Sequence, residues 1–275
     1  RYVLAPKVAA GPDGKKCKDA CTYDAVDLDD KPKTIQIKAA AVVVATGWKP
    51  YDATKLEHLG AGKIKNVVTN VVMERLASPS GHTAGKIVRP SDGGPITDIA
   101  FAQCAGSRDE NHLPYCSGVC CMASLKQAAL VREQYPEAKI TVYYIDVRAM
   151  GKYETFYAKL LKDPNITFVR GKVAKVTADA GSGDPVVEVE DTITGKKSTV
   201  KPGMLVLATG IVPAAGGADD LPLPLDRDEW GFLARHQSKR GLHGAGCASR
   251  PNSVAQCVQE ATGAALKAIQ DLAAR

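Results

Sequence analysis

The chain has 275 residues, with 36 Lys and Arg against 30 Asp and Glu, a formal net charge of +6. That length can bury a sizeable core in one or two domains, and the basic residues are scattered among acidic ones, which argues against a nucleic-acid-binding role. No apolar run approaches the ~20 residues that span a bilayer, and the opening RYVLAPKVAAGPDGKK has no apolar secretory core, so the expectation is a cytoplasmic chain that meets a membrane only through a partner.

Residues 1 to 33 are polar and rich in Gly, Lys and Asp, with Cys17 and Cys21 in KKCKDACTYDAV. A ferredoxin-type insert would supply four closely spaced cysteines; with two, this stretch is left out of the candidate metal site. From Thr34 to Gly47, alternation around Ile35 and Ile37 predicts a half-buried strand, and AVVVATG a fully buried one ending in a glycine turn. Val67 to Leu76, VVTNVVMERL, reads as a helix. The following PSGHTAGKIVRPSDGGP is a turn-rich linker in which His82 is an exposed, inert histidine.

The densest chemistry lies in Asp98 to Met122, DIAFAQCAGSRDENHLPYCSGVCCM, where Cys104 is followed by Cys116, Cys120 and Cys121. Ile99 to Cys104 reads as a strand, and Ser117 to Tyr135 as a helix with apolar residues at Val119, Met122, Leu125, Ala128, Ala129 and Val131. A loop folding back onto the first turn of a helix can gather four thiolates on one iron–sulfur cluster. Buried cysteines or disulfides are the plain alternative, but two adjacent cysteines among four suit neither a core nor a disulfide pair. Zinc is the competing metal, and the paired C-x-x-C knuckles it usually draws on are absent.

Ile140 to Ile145 forms a second buried strand ending at Asp146. Strand, turn, helix, strand and acidic residue follow the order of a dinucleotide-binding unit, yet the turn lacks G-x-G-x-x-G, so a phosphate site is expected to have been exchanged for a cluster site. Tight NAD(P)H binding is not expected there. Ala149 to Leu161, with Tyr153, Phe156 and Tyr157, reads as a helix packed on the sheet. Residues 166 to 201 read as an antiparallel meander with turns at GSGDP and ITGKK. Met204 to Gly210, MLVLATG, repeats the earlier buried strand and glycine. Gly241 to Arg275 enters Gly244-Ala245-Gly246 and then a long amphipathic helix capped near Asn252 or Ser253.

The two ATG strands resemble the crossing strands of flavoproteins of the thioredoxin and glutathione reductase type. More specifically, QCAGSRDENHLPYCSGVCCM followed by YYIDVRAMGKYETFY resembles the heterodisulfide reductase A-subunit family, and within it the A subunits of quinone-interacting membrane-bound oxidoreductase complexes. The resemblance covers the chain from about Ala40 onward. It implies an α/β fold of two dinucleotide-binding-type domains: residues 1–96 as the first part of an FAD domain, 97–203 as a second domain carrying the cluster, and 204–275 as the rest of the FAD domain.

The same resemblance implies that Cys104, Cys116, Cys120 and Cys121 hold a [4Fe-4S] cluster. FAD would be held by Ala45, Thr46, Gly47, Thr209, Gly210, Gly246, Cys247, Ser253 and Val254. Cys247 stands where the flavoprotein pattern has Asp, and Cys257, further along, reads as core. No G-x-G-x-x-G occurs anywhere in the chain, so the N-terminal part of the FAD domain is expected to be missing.

The function implied is electron transfer between flavin and cluster, with further heterodisulfide-reductase-like subunits as partners, one of them membrane-bound and quinone-reactive, together with adenylylsulfate reductase. Two rivals remain open: a pyridine-nucleotide disulfide oxidoreductase, which would need an NAD(P)H loop and a C-x-x-C or C-x4-C pair, and a zinc-stabilised scaffold without redox chemistry. Metal analysis with a visible spectrum separates iron from colourless zinc.

Overall fold

The computed structural model describes residues 4–31, 33–235 and 237–274, which divide into two units, Arg1–Ala40 and Ala41–Arg275. The first holds α1 (Pro6–Ala9) and α2 (Pro12–Asp19), each with proline in its first turn, where the missing N–H has no helical partner to lose. Gly14 sits against the carbonyls of Val8 and Ala9, so close that a Cβ would come within 2.5 Å of the Ala9 oxygen. Cys17 and Cys21 are half-buried, and the Cys21 sulfur accepts the Ala25 N–H at 3.4 Å. The strand expected around Ile35 and Ile37 does not form. Both side chains are exposed (78% and 82%), because no neighbouring strand among the described residues receives this segment.

The second unit begins with β1 (Val42–Val44) and β2 (Trp48–Pro50), then β3 (Val67–Thr69) and α3 (Asn70–Ala77). It continues with β4 (Asp98–Ala105), α4 (Cys120–Gln134), β5 (Lys139–Tyr144), α5 (Tyr153–Leu160), β6 (Ile166–Ala178), β7 (Pro185–Asp191) and β8 (Lys197–Val200). Then follow β9 (Leu205–Thr209), β10 (Ile211–Pro213), β11 (Leu242–Gly244) and α6 (Val254–Ala273). A seven-stranded sheet has the order β3-β9-β4-β5-β6-β7-β8, parallel from β3 to β6 and antiparallel thereafter.

Alternation along β4 explains how this sheet is buried on both faces. Ile99 and Phe101 point into a layer with Leu125, Ala128 and Val131 of α4, while Ala100 and Ala102 point into another with Leu56, Leu59, Val173 and Val187. β6 serves both halves: residues up to Arg170 pair with β5, and from Gly171 onward it pairs with β7. Gly171 permits the change, since a Cβ there would lie 2.5 Å from the Glu190 carbonyl oxygen.

VVTNVVMERL is not helical throughout: its β-branched Val-Val-Thr start forms β3 beside β9, and the helix begins at Asn70 with the Thr69 hydroxyl accepting the Val72 N–H. AVVVATG is not fully buried either. Among the described residues β1 has only β11 beside it, and Val43 stays 42% exposed while Val44 is buried.

Candidate functional site

β4 and β9 are adjacent and parallel, but the chain leaves β4 toward β5 on one side and reaches β9 on the other. The crevice beyond their C-terminal ends is therefore the switch point at which open α/β sheets bind ligands. All four cysteines of the central motif line one pocket here, together with Arg108, Asp146 and Arg148.

Each cysteine is positioned by a different local device. The pairing of β4 with β9 slips between Ala102 and Ala105, and Cys104 in that bulge takes a left-handed backbone with φ of +56°. A bulge of this kind redirects a side chain at the end of a strand. The long turn from Gly106 to Val119 is closed by the Arg108 N–H to Tyr115 carbonyl bond (3.1 Å) and the Leu113 N–H to Gly106 carbonyl bond (3.0 Å). It delivers Cys116 beside Gly118, whose N–H donates to the Cys116 sulfur at 3.4 Å. Cys120 and Cys121 open α4, which has no side-chain cap at Val119. Its first N–H groups, with the positive end of the helix dipole, face the cysteine end of the sheet.

Buried serines brace this turn. Ser107 and Ser117 share a hydrogen bond of 3.1 Å, and the Ile211 N–H donates to Ser117 at 3.0 Å. Gly210 lies directly against them, so that a Cβ on it would come 2.2 Å from the Ser107 oxygen. Tyr115 donates to the Ile211 carbonyl at 2.9 Å, and Tyr51 bonds His112 at 2.9 Å. The turn is thus fastened to the segments that follow β2 and β9.

Electrostatics at the pocket are those of thiols removed from water and crowded by one another. Burial pushes the Cys104 thiol up to about 11, with Cys121 and Cys116 adding to the effect and Arg108 opposing it. Cys120, 6% exposed, is raised by burial and then by Cys104, Cys121 and Cys116. Cys121 is likewise raised by burial. Asp146 does not await a ribose: it is paired with Arg108 at 2.5 Å and Arg148 at 3.6 Å, and the Cys121 thiol donates to its carbonyl at 3.7 Å. As the thiols stand they are turned inward on a cavity of about 10 Å³, and among the described residues no set of three or more His, Cys, Asp or Glu side chains is arranged to hold a metal ion. Cys104, Cys116, Cys120 and Cys121 nevertheless share this pocket with two arginines and the start of α4, whose positive charge and helix dipole favour negative charge there.

The residues read as flavin contacts fall around a second feature, a crossing of two strands. β2 and β10 pair antiparallel, with Trp48 opposite Pro213, and the Ala214 N–H reaches the Gly47 carbonyl at 3.1 Å. β1 and β11 pair in parallel, and the Ala245 N–H donates to the Val44 carbonyl at 3.0 Å. Ala45, Thr46 and Gly47 are thereby brought next to the Gly244 to Ser253 segment. Gly47 has φ of +75° and open space where a Cβ would stand. Ser253 caps α6, accepting the Gln256 N–H while Gln256 returns a bond to the Ser253 N–H. The first N–H groups of α6, at Val254 and Ala255, have no helical acceptor. Thr209 and Gly210 stand apart from the other predicted contacts: Thr209 is buried and its hydroxyl donates to Asn70 at 2.9 Å, and Gly210 packs against Ser107 and Ser117 of the cysteine turn.

Asn70 and Gln127 escaped sequence reasoning. The Asn70 amide donates to the Thr209 carbonyl (3.3 Å) and Gln127 donates to the Asn70 carbonyl (2.9 Å), a buried polar clamp between α3, α4 and the end of β9. Their only sequence signal is polarity inside otherwise apolar helical periods.

Searches against family profiles give no match. Curated relatives do match: the second iron-sulfur A subunit of CoB–CoM heterodisulfide reductase from Methanopyrus kandleri is 39% identical over 91% of this chain and 40% of its own length. The A subunit of the H2:CoB–CoM heterodisulfide, ferredoxin reductase of Methanothermobacter marburgensis is 38% identical over 92% of this chain and 40% of its own. The chain therefore spans about two-fifths of these relatives. Among solved structures, Lactococcus lactis thioredoxin reductase superposes with a TM-score of 0.54 at 15% identity, covering 86% of this chain and 67% of that one. Thioredoxin reductase from T. acidophilum gives 0.51 at 15% identity over 84% and 65%. The fold is that of the thioredoxin reductases, and along nine-tenths of its length the chain is a homologue of the heterodisulfide reductase A subunits.

Proposed function

We propose that this chain is an electron-transfer segment of an oxidoreductase subunit, with Cys104, Cys116, Cys120 and Cys121 as ligands of a [4Fe-4S] cluster and FAD seated at the strand crossing. The observation that carries the reading is the convergence of the four cysteines on one pocket at the β4/β9 switch point. When bound, the flavin would exchange two electrons or one and the cluster one, so together they would couple a two-electron carrier to a one-electron chain.

The chain's own residues have distinct parts in this. The four thiols supply the ligand set once deprotonated, and Arg108, Arg148 and the start of α4 offset the negative charge that results. Ser107, Ser117 and Gly210 hold the turn closed against water. At the crossing, the open face of Gly47 admits a ligand's approach, and the free N–H groups of Val254 and Ala255 are donors for an anionic ligand edge. Gly246, Cys247 and Ser253 shape the loop that leads into those donors.

The names of the relatives support assembly with further heterodisulfide-reductase-like subunits. We extend the proposal to a membrane-bound quinone-reactive partner and to adenylylsulfate reductase, on the resemblance of the Cys104 to Tyr157 motif alone. No helix among the described residues is long and apolar enough to cross a membrane, so a membrane link on this reading runs through a partner.

Anaerobic purification with iron, sulfide and flavin analysis tests the cofactors. The expected result is about four irons and four sulfides per chain with broad absorption near ~400 nm, and an EPR signal on reduction. Stoichiometric zinc without colour would overturn the reading in favour of a structural metal.

A further inference from the structure

Cys257 reads as core in the sequence, and it is not core. It sits on the first turn of α6, half-buried, with its Sγ 3.7 Å from the Sγ of Cys247. The two are ten residues apart and belong to different elements, Cys247 to the short helical turn Gly246–Ala248 and Cys257 to α6. Neither lines the four-cysteine pocket.

We propose that Cys247 and Cys257 form a second redox site, a dithiol that exchanges with low-molecular-weight disulfides. Separation, asymmetry and support of the pair all point to exchange. The sulfurs need to close from 3.7 Å to about 2 Å, and rotation of the Cys257 side chain is the movement that would bring them together. The space for that rotation exists, because Gly246 lies under Cys257 with φ of +63°; even a Cβ on Gly246 would stand 3.5 Å from the Cys257 sulfur.

The two thiols are unequal. Cys247 is 8% exposed and donates to the Asn252 carbonyl at 3.5 Å, and burial together with the neighbouring Cys257 holds its proton on. Cys257 is the more exposed of the two, half-buried on α6, and the neighbouring helix positions Val254 (82%) and Val258 (62%) expose apolar side chains, a surface suited to the alkyl arms of a small disulfide. One accessible attacking thiol and one buried resolving thiol is the arrangement that thiol–disulfide exchange requires.

The step balances within these groups and the small disulfide. The deprotonated Cys257 Sγ attacks one sulfur of R–S–S–R, forming Cys257–S–S–R and releasing R–S⁻, which takes up the proton that Cys257 lost. The Cys247 sulfur, giving up its own proton, then attacks the Cys257 sulfur and displaces the second R–S⁻, which is protonated in turn. Two protein thiols have lost two electrons and two protons, and one small disulfide has become two thiols. The reverse sequence, with a small dithiol as reductant, restores the pair.

The test uses the full chain, anaerobically purified, incubated with bis(2-hydroxyethyl) disulfide, quenched with acid, alkylated and mapped by mass spectrometry. In the wild type the peptide carrying both cysteines should become refractory to alkylation and recover on treatment with dithiothreitol. In Cys247→Ser the mixed disulfide should be trapped on Cys257. In Cys257→Ser, Cys247 should react at least about tenfold more slowly than Cys257 does in the wild type. A wild-type peptide that still takes up both alkyl groups after incubation would overturn the proposal, whatever the variants do. Equal trapping at Cys247 and Cys257 in the two variants would overturn the assignment of attacking and resolving roles, and with it the exchange site. Iron content does not enter either readout, so the outcome is independent of the cluster assignment.

Discussion

The thiol of Cys120 donates to the carbonyl oxygen of Thr209 at 3.5 Å, joining the first residue of α4 to the last residue of β9. That carbonyl also accepts the Asn70 amide, so the end of β9, the start of α4 and the start of α3 share one buried polar joint. Cys120→Val should preserve the volume of the site and leave the proposed cluster one ligand short. Iron content should fall severalfold while bound flavin stays near the wild-type level, because the strand crossing lies on other elements. Wild-type iron content and an unchanged EPR spectrum in this variant, and in the Ser variants of Cys104, Cys116 and Cys121, would return the four residues to ordinary buried cysteines.

Nicotinamide cofactor binding is expected to be absent from the seven-stranded sheet. In a dinucleotide-binding unit a short glycine loop after the first strand lets backbone N–H groups approach the pyrophosphate. Here the residues after β4 form a long braced turn, Cys116 and Cys120 line the space at the switch point, and Asp146 is committed to Arg108 and Arg148. Titration of the full chain with NADH should show no saturable binding at micromolar concentration by fluorescence. A dissociation constant in that range would mean that the turn opens.

Gly210→Ala tests how tightly the turn is braced. The added methyl would start 2.2 Å from the Ser107 oxygen and 2.5 Å from that of Ser117, both held by the turn's own hydrogen bonds. Overpacking of this kind costs about 1–3 kcal/mol. The midpoint of denaturant unfolding should fall accordingly, and iron content with it, since the same serines fix the loop that carries Cys116. Combining it with Ser107→Gly should recover part of the loss. An unshifted midpoint in the single variant would show that the turn yields freely.

How far the sequence could be read depended on the range of the interactions involved. β4, α4 and β5 follow from local periodicity, and their observed limits lie within a few residues of the expected ones. That Cys104, Cys116, Cys120 and Cys121 line one pocket was legible because the motif is short and its strand–turn–helix frame is local. The strand expected at Ile35 and Ile37 failed because alternation states a preference for a sheet, not the presence of a partner strand. β3 was hidden inside a helical pattern for the opposite reason: a distant segment, β9, provided the partner. Asn70 binding Thr209 is a contact across 139 residues that no window of sequence contains, and Cys257 meeting Cys247, though only ten residues apart, depends on the turn between two elements rather than on a periodic pattern.

Asp163 links α4 to the turn before β6. Its carboxylate accepts from Arg132 at 2.8 Å and from the Asn165 N–H at 2.9 Å, and the Arg132 bond chiefly holds its pKa below the usual carboxylate range. A carboxyl depressed in the folded state contributes stability above its unfolded pKa of about 4 and loses that contribution as pH falls through its folded value. The lowered Asp163 carboxyl titrates well below neutrality. Asp163→Ala should therefore cost on the order of 1 kcal/mol, and the same amount at pH 6 as at pH 8, in urea unfolding. A cost that changes between those two pH values would assign the linkage to another group.

Cys104 carries a tension between backbone and ligand that two substitutions can separate. Its φ of +56° lies where a residue with a Cβ pays about 1–2 kcal/mol, and the bulge between Ala102 and Ala105 imposes that conformation. Both Cys104→Ala and Cys104→Gly remove the thiol, so both should lower iron content alike. They differ in the backbone. Alanine keeps the left-handed strain, whereas glycine relieves it and gives back only part of the gain through the greater freedom of its unfolded chain. Measured on metal-free protein, Cys104→Gly should be more stable than Cys104→Ala by about 1 kcal/mol, a difference that the glycine's lower packing volume opposes and does not cancel at a half-buried site. If alanine proved equal or better, the left-handed turn would not be a fixed feature of the strand end, and the aim of the Cys104 thiol into the pocket would have to come from the Gly106 to Val119 turn alone.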